Sequence, residues 1–154
     1  MLNKIKNILE NNKIEYEIYE HEPILDYETA HKVKERLNFI GVESKSLFLK
    51  GKSGNYYVFV SIEGQTLDSK KIKSILNEKV RICSSQELIE VTRITPGCVS
   101  PFGYDKEISL VVDESIFNYD KFILSPGIPE VTLIVNTKDI GKILDNVENK
   151  VINY

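Results

Sequence analysis

Tryptophan is absent from the 154 residues, methionine occurs once, and cysteine and histidine occur twice each. Two cysteines, Cys83 and Cys98, cannot build a disulfide framework, and their spacing matches no zinc pattern. A reducing compartment, the cytoplasm, is the expected setting. His21 and His31 stand ten residues apart with no carboxylate at a ligand spacing, so no metal site is expected. No apolar run approaches the roughly 18–20 residues that span a bilayer. The start, MLNKIKNILENNK, has no long apolar segment and no small-residue cleavage site. Neither a membrane span nor a signal peptide is therefore expected. The dinucleotide pattern GxGxxG, the phosphate-binding P-loop, HExxH and GxSxG are all missing. An excess of positive charge is missing too. The net charge of −3 argues against a generally basic nucleic-acid-binding protein.

What is present fits one soluble domain spanning 1–154, long enough to bury a real core. The charge is unevenly spread. Residues 1–31 carry a net of −4, residues 32–81 a net of +6, and residues 82–154 a net of −5. A basic middle between acidic flanks can form a local anion-binding face, although linear clustering need not survive folding.

The apolar pattern alternates between helical and extended periods. Leu2, Ile5, Ile8 and Leu9 follow helical spacing, and Asn11-Asn12 ends that helix. Ile14 to Tyr19 alternates apolar and acidic residues as a half-buried strand does. Asp26 is placed to cap a helix running to about Leu37. Ser46 to Leu49 and Tyr56 to Ile62 read as strands around a Gly51–Asn55 turn. Asp68 and then Ser84 or Ser85 open two more helices, with the short strand Val80 to Cys83 between them. Ile108 to Val112, Phe122 to Leu124 and Val131 to Val135 read as strands, and a last helix begins at Thr137 or Asp139. Hairpins outnumber crossovers in this order. The expected fold is mixed α/β, with a curved, largely antiparallel or barrel-like sheet surrounded by helices.

Three places are punctuated. Thr95-Pro96-Gly97-Cys98-Val99-Ser100-Pro101-Phe102-Gly103 packs two prolines and two glycines into nine residues, which no helix or central strand tolerates. In Gly41-Val42-Glu43-Ser44-Lys45-Ser46-Leu47-Phe48-Leu49, a lysine enters an otherwise apolar strand, either to act in a site or to snorkel from a strand edge. Leu124-Ser125-Pro126-Gly127-Ile128-Pro129 is a rigid loop between two strands. A nucleophilic Cys98 would need a base such as His21 beside it, and a small side chain in a tight loop is the simpler reading.

Taken together, these stretches resemble the YbaK/EbsC/ProX family of aminoacyl-tRNA deacylases, whose fold is also the inserted editing domain of bacterial prolyl-tRNA synthetases. The likeness runs over nearly the whole chain. Lys45-Ser46 resembles the family's lysine-then-Thr-or-Asn motif. Gln65-Thr66-Leu67-Asp68 resembles its central segment, and Gly97-Cys98-Val99-Ser100-Pro101 its GxxxP loop. Ser125 to Thr132 falls where the family has its pocket-closing loop.

The resemblance implies a hydrolase that removes a mischarged small amino acid from tRNA(Pro), with no cofactor or metal. Aminoacylated tRNA would be its substrate, and prolyl-tRNA synthetase a candidate partner. It implies catalytic roles for Lys45, as a positive charge at the ester or terminal phosphate, and for Gly97, whose missing Cβ leaves room beside the ester. Substrate contacts are implied for Tyr19, His21, Ser46, Cys98, Ser100, Pro101, Ser125, Gly127 and Thr132. Basic residues in 32–81 would meet the tRNA backbone. The amino acid stays open between Cys, Ala and another small mischarged residue. Ser46 and Ser125 lean toward the cysteine-clearing branch of the family, whereas TPGxVSPFG looks more like the alanine branch. A module that binds aminoacyl-tRNA, an amino acid or a nucleotide without hydrolysis, or a regulatory partner of a synthetase, is the competing reading.

Overall fold

The computed structural model describes residues 1–154. Three helices start where a side chain can accept the free N–H groups of a first turn. Asp26 accepts from Thr29 to open α2 (Tyr27–Leu37). Asp68 accepts from Lys70 and Lys71 to open α3 (Ser69–Leu76). Ser84 accepts from Glu87 to open α4 (Ser85–Thr92). The first two stop at an asparagine in the left-handed region, Asn38 and Asn77. The amphipathic α1 (Leu2–Asn11) buries Ile5 and Leu9. The last helix, α5 (Ile140–Asp145), is preceded by one 3₁₀ turn at Thr137–Asp139.

Eight strands form one sheet in the order β1-β7-β6-β2-β3-β5-β8: β1 is Tyr16–Glu20, β2 Val42–Gly51, β3 Tyr56–Ile62, β5 Ser109–Val112, β6 Lys121–Leu124, β7 Val131–Asn136 and β8 Val151–Asn153. The short β4 (Val80–Ile82) pairs with the far end of β2. Four of the seven pairings are antiparallel, and β2 with β6, β3 with β5 and β5 with β8 are parallel. The sheet is mixed, largely antiparallel and curved, with helices around it, as the alternating pattern predicts. Two elements go beyond that expectation. They are the C-terminal β8 and a 3₁₀ segment at Glu114–Asn118, whose first turn Asp113 caps through Ser115 N–H.

Both faces of β3 are covered, since every residue from Tyr57 to Ile62 is buried. On one face Val58, Val60 and Ile62 join Phe48, Leu110, Leu133 and helix residues Ile5 and Leu9 in the largest cluster. On the other, Tyr57 and Phe59 pack with Leu49 and with Ile72 of α3. A third, smaller cluster sets Val33 of α2 against Phe39, Ile123 and Ile134. No helix is long and apolar enough to cross a membrane.

The two edges of β2 are paired unequally. One edge pairs with β3 over seven residues, Ser44 to Lys50. The other edge meets β6 only through Val42 and Glu43, and β4 only through Leu49 to Gly51. Between β6 and β4 the edge of β2 is open.

Candidate active site

A cleft of about 400 Å³ lies at that open edge, within the size range of small-ligand sites. Its walls are β2 from Glu43 to Phe48, the segment 24–27 leading into α2, residues 82–85 leading into α4, the Pro96-Gly97 turn, and Leu124, Ser125, Pro129 and Thr132. Backbone alternation decides which β2 groups face it. The Glu43 carbonyl accepts from Glu63 N–H, so odd-numbered residues turn their backbone toward β3. On the other side the Ser44 carbonyl accepts the Tyr27 hydroxyl at 3.1 Å, and the Phe48 carbonyl accepts Cys83 N–H at 2.9 Å. By the same alternation the N–H and C=O of Ser46 point into the cleft. Its Oγ is buried and has no hydrogen-bond partner.

Five of the residues expected from the sequence line this one space: Lys45, Ser46, Gly97, Ser125 and Thr132. The ammonium of Lys45 donates to the carbonyl of Gln65 at 2.6 Å, which ties the strand lysine to the Gln65–Asp68 segment. The Ser125 hydroxyl accepts from Gly127 N–H at 3.3 Å and donates to the Ile128 carbonyl at 3.4 Å, so it shapes its own loop. His21 stands behind the wall. Its Nδ1 is 2.7 Å from the carbonyl of Glu22, an acceptor only, so this nitrogen carries the proton. In the neutral ring Nε2 then accepts from the Thr132 hydroxyl at 2.8 Å and fixes the orientation of a lining residue.

The other expected contacts sit outside the cleft lining. Tyr19 packs its ring 4.5 Å from that of Phe39, and it is Phe39 that faces the cleft. Cys98 is buried beneath the loop with its Sγ 3.6 Å from the Ile24 carbonyl, and burial pushes its thiol up, away from thiolate chemistry. Ser100 is fully buried, its carbonyl accepting the Tyr104 hydroxyl at 2.7 Å. Pro101 is buried with it. Gly127 packs on Met1 and Ile94. Only Pro96, Gly97 and Val99 of the proline- and glycine-rich loop face the cleft, and the rest anchor it. The structure gives the glycine at 97 a packing reason. With φ at +93°, a Cβ there would lie 2.8 Å from the Leu25 carbonyl oxygen. The missing side chain lets two backbone segments touch at the cleft wall.

Other lining residues escaped the sequence reading, chiefly Tyr27, Glu43 and Cys83. Burial first, and then the neighbouring Glu63 carboxylate, pushes the Glu43 carboxyl up to about 7, with Lys34 and His31 pulling the other way. Burial likewise raises the Tyr27 hydroxyl to about 12, helped by Glu63 and Glu43. Near the opposite end, Arg81 and Lys50 clamp Glu87 and hold its carboxyl down at about 2. Lys52, Lys70, Lys71, Lys73 and Lys79, all exposed, make no ion pair. The excess charge of the basic middle segment is therefore presented to solvent.

Residues 21–143 match the family model described as the aminoacyl-tRNA editing domain. The chain belongs to that family. Among curated proteins it is similar to the prolyl-tRNA editing protein ProX of Acetoanaerobium sticklandii, 28% identical over 143 residues that cover 88% of this chain and 85% of the relative. Among solved structures the editing domain superposes on the hypothetical protein APE2540 with a TM-score of 0.80, at 18% identity and 96% coverage of both chains. It also superposes on a candidate trans-editing enzyme for prolyl tRNA synthetase with a TM-score of 0.74, at 20% identity, covering 99% of this chain and 94% of the other. At such identities these two likenesses speak for the fold of the editing domain.

Proposed function

We propose that this editing domain acts in trans on tRNA(Pro), hydrolysing the ester that links a mischarged cysteine or alanine to the terminal ribose. The observation that carries the reading is the open edge of β2, where Lys45, the backbone of Ser46 and its unpartnered hydroxyl sit in one cleft with Gly97. Attack of water on the ester carbonyl forms a C–O bond and a tetrahedral oxyanion. Collapse expels the ribose oxygen, which takes a proton, and leaves a free amino acid. The Ser46 N–H is held rigid by the strand and is a suitable donor to that oxyanion, and the Lys45 ammonium supplies charge beside it. Neither role needs a nucleophilic side chain, which suits a cleft whose only thiol, that of Cys83, is raised by burial. The unpaired lysines of residues 52–79 are available to the tRNA phosphates, and the relative named for prolyl-tRNA editing favours tRNA(Pro) as the carrier.

The test is loss of labelled amino acid from alanyl-, cysteinyl- and seryl-tRNA(Pro). Turnover of at least one is expected. Lys45→Ala should slow it at least ~100-fold, since a well-placed charge in such a cleft is worth about 2–4 kcal/mol, while the melting profile stays close to wild type. A protein that binds these tRNAs but hydrolyses none is a binding module. A fully active Lys45→Ala variant removes the lysine from the chemistry.

A further inference from the structure

Glu43 is a carboxylate held by a single ion pair at its outer limit of distance. Its side chain is only 12% exposed and lines the cleft. No side-chain hydrogen bond within the chain reaches it. The nearest cation, the ammonium of Lys34, is 4.0 Å away and donates at 2.6 Å to the carbonyl of Gly41 instead. The other charged groups around it are already committed or lie to one side. His31 pairs with Glu63 at 2.9 Å, and the Tyr27 hydroxyl donates to the Ser44 carbonyl. A mostly buried carboxylate without donors is costly, and it is relieved either by taking up a proton or by a cation brought to it.

Ser46, which also lines the cleft, has a hydroxyl buried without a partner, three positions along β2 and so on the opposite face of the strand from Glu43. Glu43 and Lys45 are two apart on that strand, so both belong to one face with about 7 Å between their Cα atoms. A small amino ester carries a cation and a carbonyl a few ångströms apart, which a hydrogen bond at each end extends to that scale.

Building on the editing reading above, we infer that Glu43 binds the free α-ammonium group of the aminoacyl ester, and so selects aminoacyl-tRNA over any tRNA whose amino group is blocked. The carboxylate receives the ammonium while the ester carbonyl lies toward Ser46 and Lys45. An N-acylated ester, including a peptidyl ester, offers no cation to Glu43 and leaves that carboxylate buried and unpaired. The domain thereby spares peptidyl-tRNA, whose ester is chemically the same bond.

The experiment compares alanyl- and cysteinyl-tRNA(Pro) with their N-acetyl counterparts, using the wild-type protein, Glu43→Gln and Glu63→Gln. A separate binding arm titrates two non-hydrolysable adenosine 3′-amides, one alanyl and one lactyl, the second carrying a hydroxyl in place of the ammonium. Wild type should prefer the free amine ~10–100-fold in kcat/KM and in affinity, the range for a hydrogen bond to a charged group. Glu43→Gln should bring the preference within ~3-fold by losing affinity for the free amine. Glu63→Gln should keep it. If wild type hydrolyses no substrate, the editing reading fails, and the amide titration still judges Glu43. Equal binding of the two amides by wild type, or an undiminished preference in folded Glu43→Gln, overturns the inference. Should Glu43→Gln not fold, Glu43→Asp serves in its place, and a full wild-type preference in that variant, with its carboxylate withdrawn, overturns the inference equally.

Discussion

Replacing Glu43 by glutamine should make the unliganded protein more stable, and only above a definite pH. The carboxyl titrates near its ordinary value of 4.5 in the unfolded chain and near 7 in the folded one, because burial and Glu63 disfavour the charge. Below about pH 4.5 both states hold the proton and the group contributes nothing to pH dependence. Between pH 4.5 and 7 the folded state keeps a proton that the unfolded state releases, so stability falls as pH rises. Above 7 the loss is complete at about 3 kcal/mol, the equivalent of that displacement. Glutamine resembles the protonated acid and cannot ionise. The variant should match wild type at pH 4.5 and exceed it by about 2–3 kcal/mol at pH 8, a rise in Tm of roughly 4–12 °C for a domain of this size. Urea denaturation of both proteins at pH 4.5, 6 and 8 measures this as a difference in midpoint that opens with pH at constant slope. A pH-independent gap, or a variant less stable than wild type at pH 8, would show that Glu43 is already compensated in the free protein. That result would also remove the reason for expecting a ligand cation.

Two further substitutions separate chemistry from packing. Gly97→Ala should lower stability as well as turnover, by at least about 1–2 kcal/mol for the left-handed backbone alone, since its Cβ would press on the Leu25 carbonyl at 2.8 Å. Wild-type stability in that variant, read by urea melts, would refute the packing account. Ser46→Ala deletes a buried hydroxyl that has no partner, so it should be neutral to stabilising by up to about 1 kcal/mol while shifting the ratio of alanine to cysteine release. A marked loss of stability would mean the hydroxyl is bonded in the free protein.

Much of the fold was readable because its signals are local. Asp26, Asp68 and Ser84 each cap the helix that the sequence assigns them, and Tyr56 to Ile62 has the unbroken apolar run of a strand buried on both faces. Where pairing partners decide, the local signal failed. Val42 to Lys45 is too polar to read as strand, yet β2 begins at Val42 because β6 and the end of β3 supply its hydrogen bonds. The three residues of β8 have no pattern of their own and exist through β5. The site shows the same division. Lys45, Ser46, Gly97, Ser125 and Thr132, which line the one cleft, are residues that the family resemblance of the punctuated stretches implies. Glu43 carries no signal in the sequence, because the groups that surround its carboxylate, Lys34 and His31 of α2 and Glu63, are brought to it by the fold. Residues 98, 100, 101 and 127 stand in the right loops, but these loops fold back on the core and bury them.

Under the editing reading, the open edge of β2 lets this fold act on an ester without a triad. A free strand edge is normally a hazard, since its unpaired N–H and C=O groups invite another chain. Here the exposed stretch is short, closed by β6 at one end and β4 at the other, and roofed by residues 24–27 and the Pro96-Gly97 turn. The opposite edge is locked to β3 over seven residues, so the Ser46 amide is held in place before any substrate arrives. A donor fixed in advance stabilises developing charge without reorganising, which is the condition for a large electrostatic contribution to catalysis. Under the editing reading, the proline- and glycine-rich loop serves this end indirectly. Its glycine lets the Pro96-Gly97 turn lie against the Leu25 backbone, and that contact fixes one wall of the cleft against the segment that leads into α2.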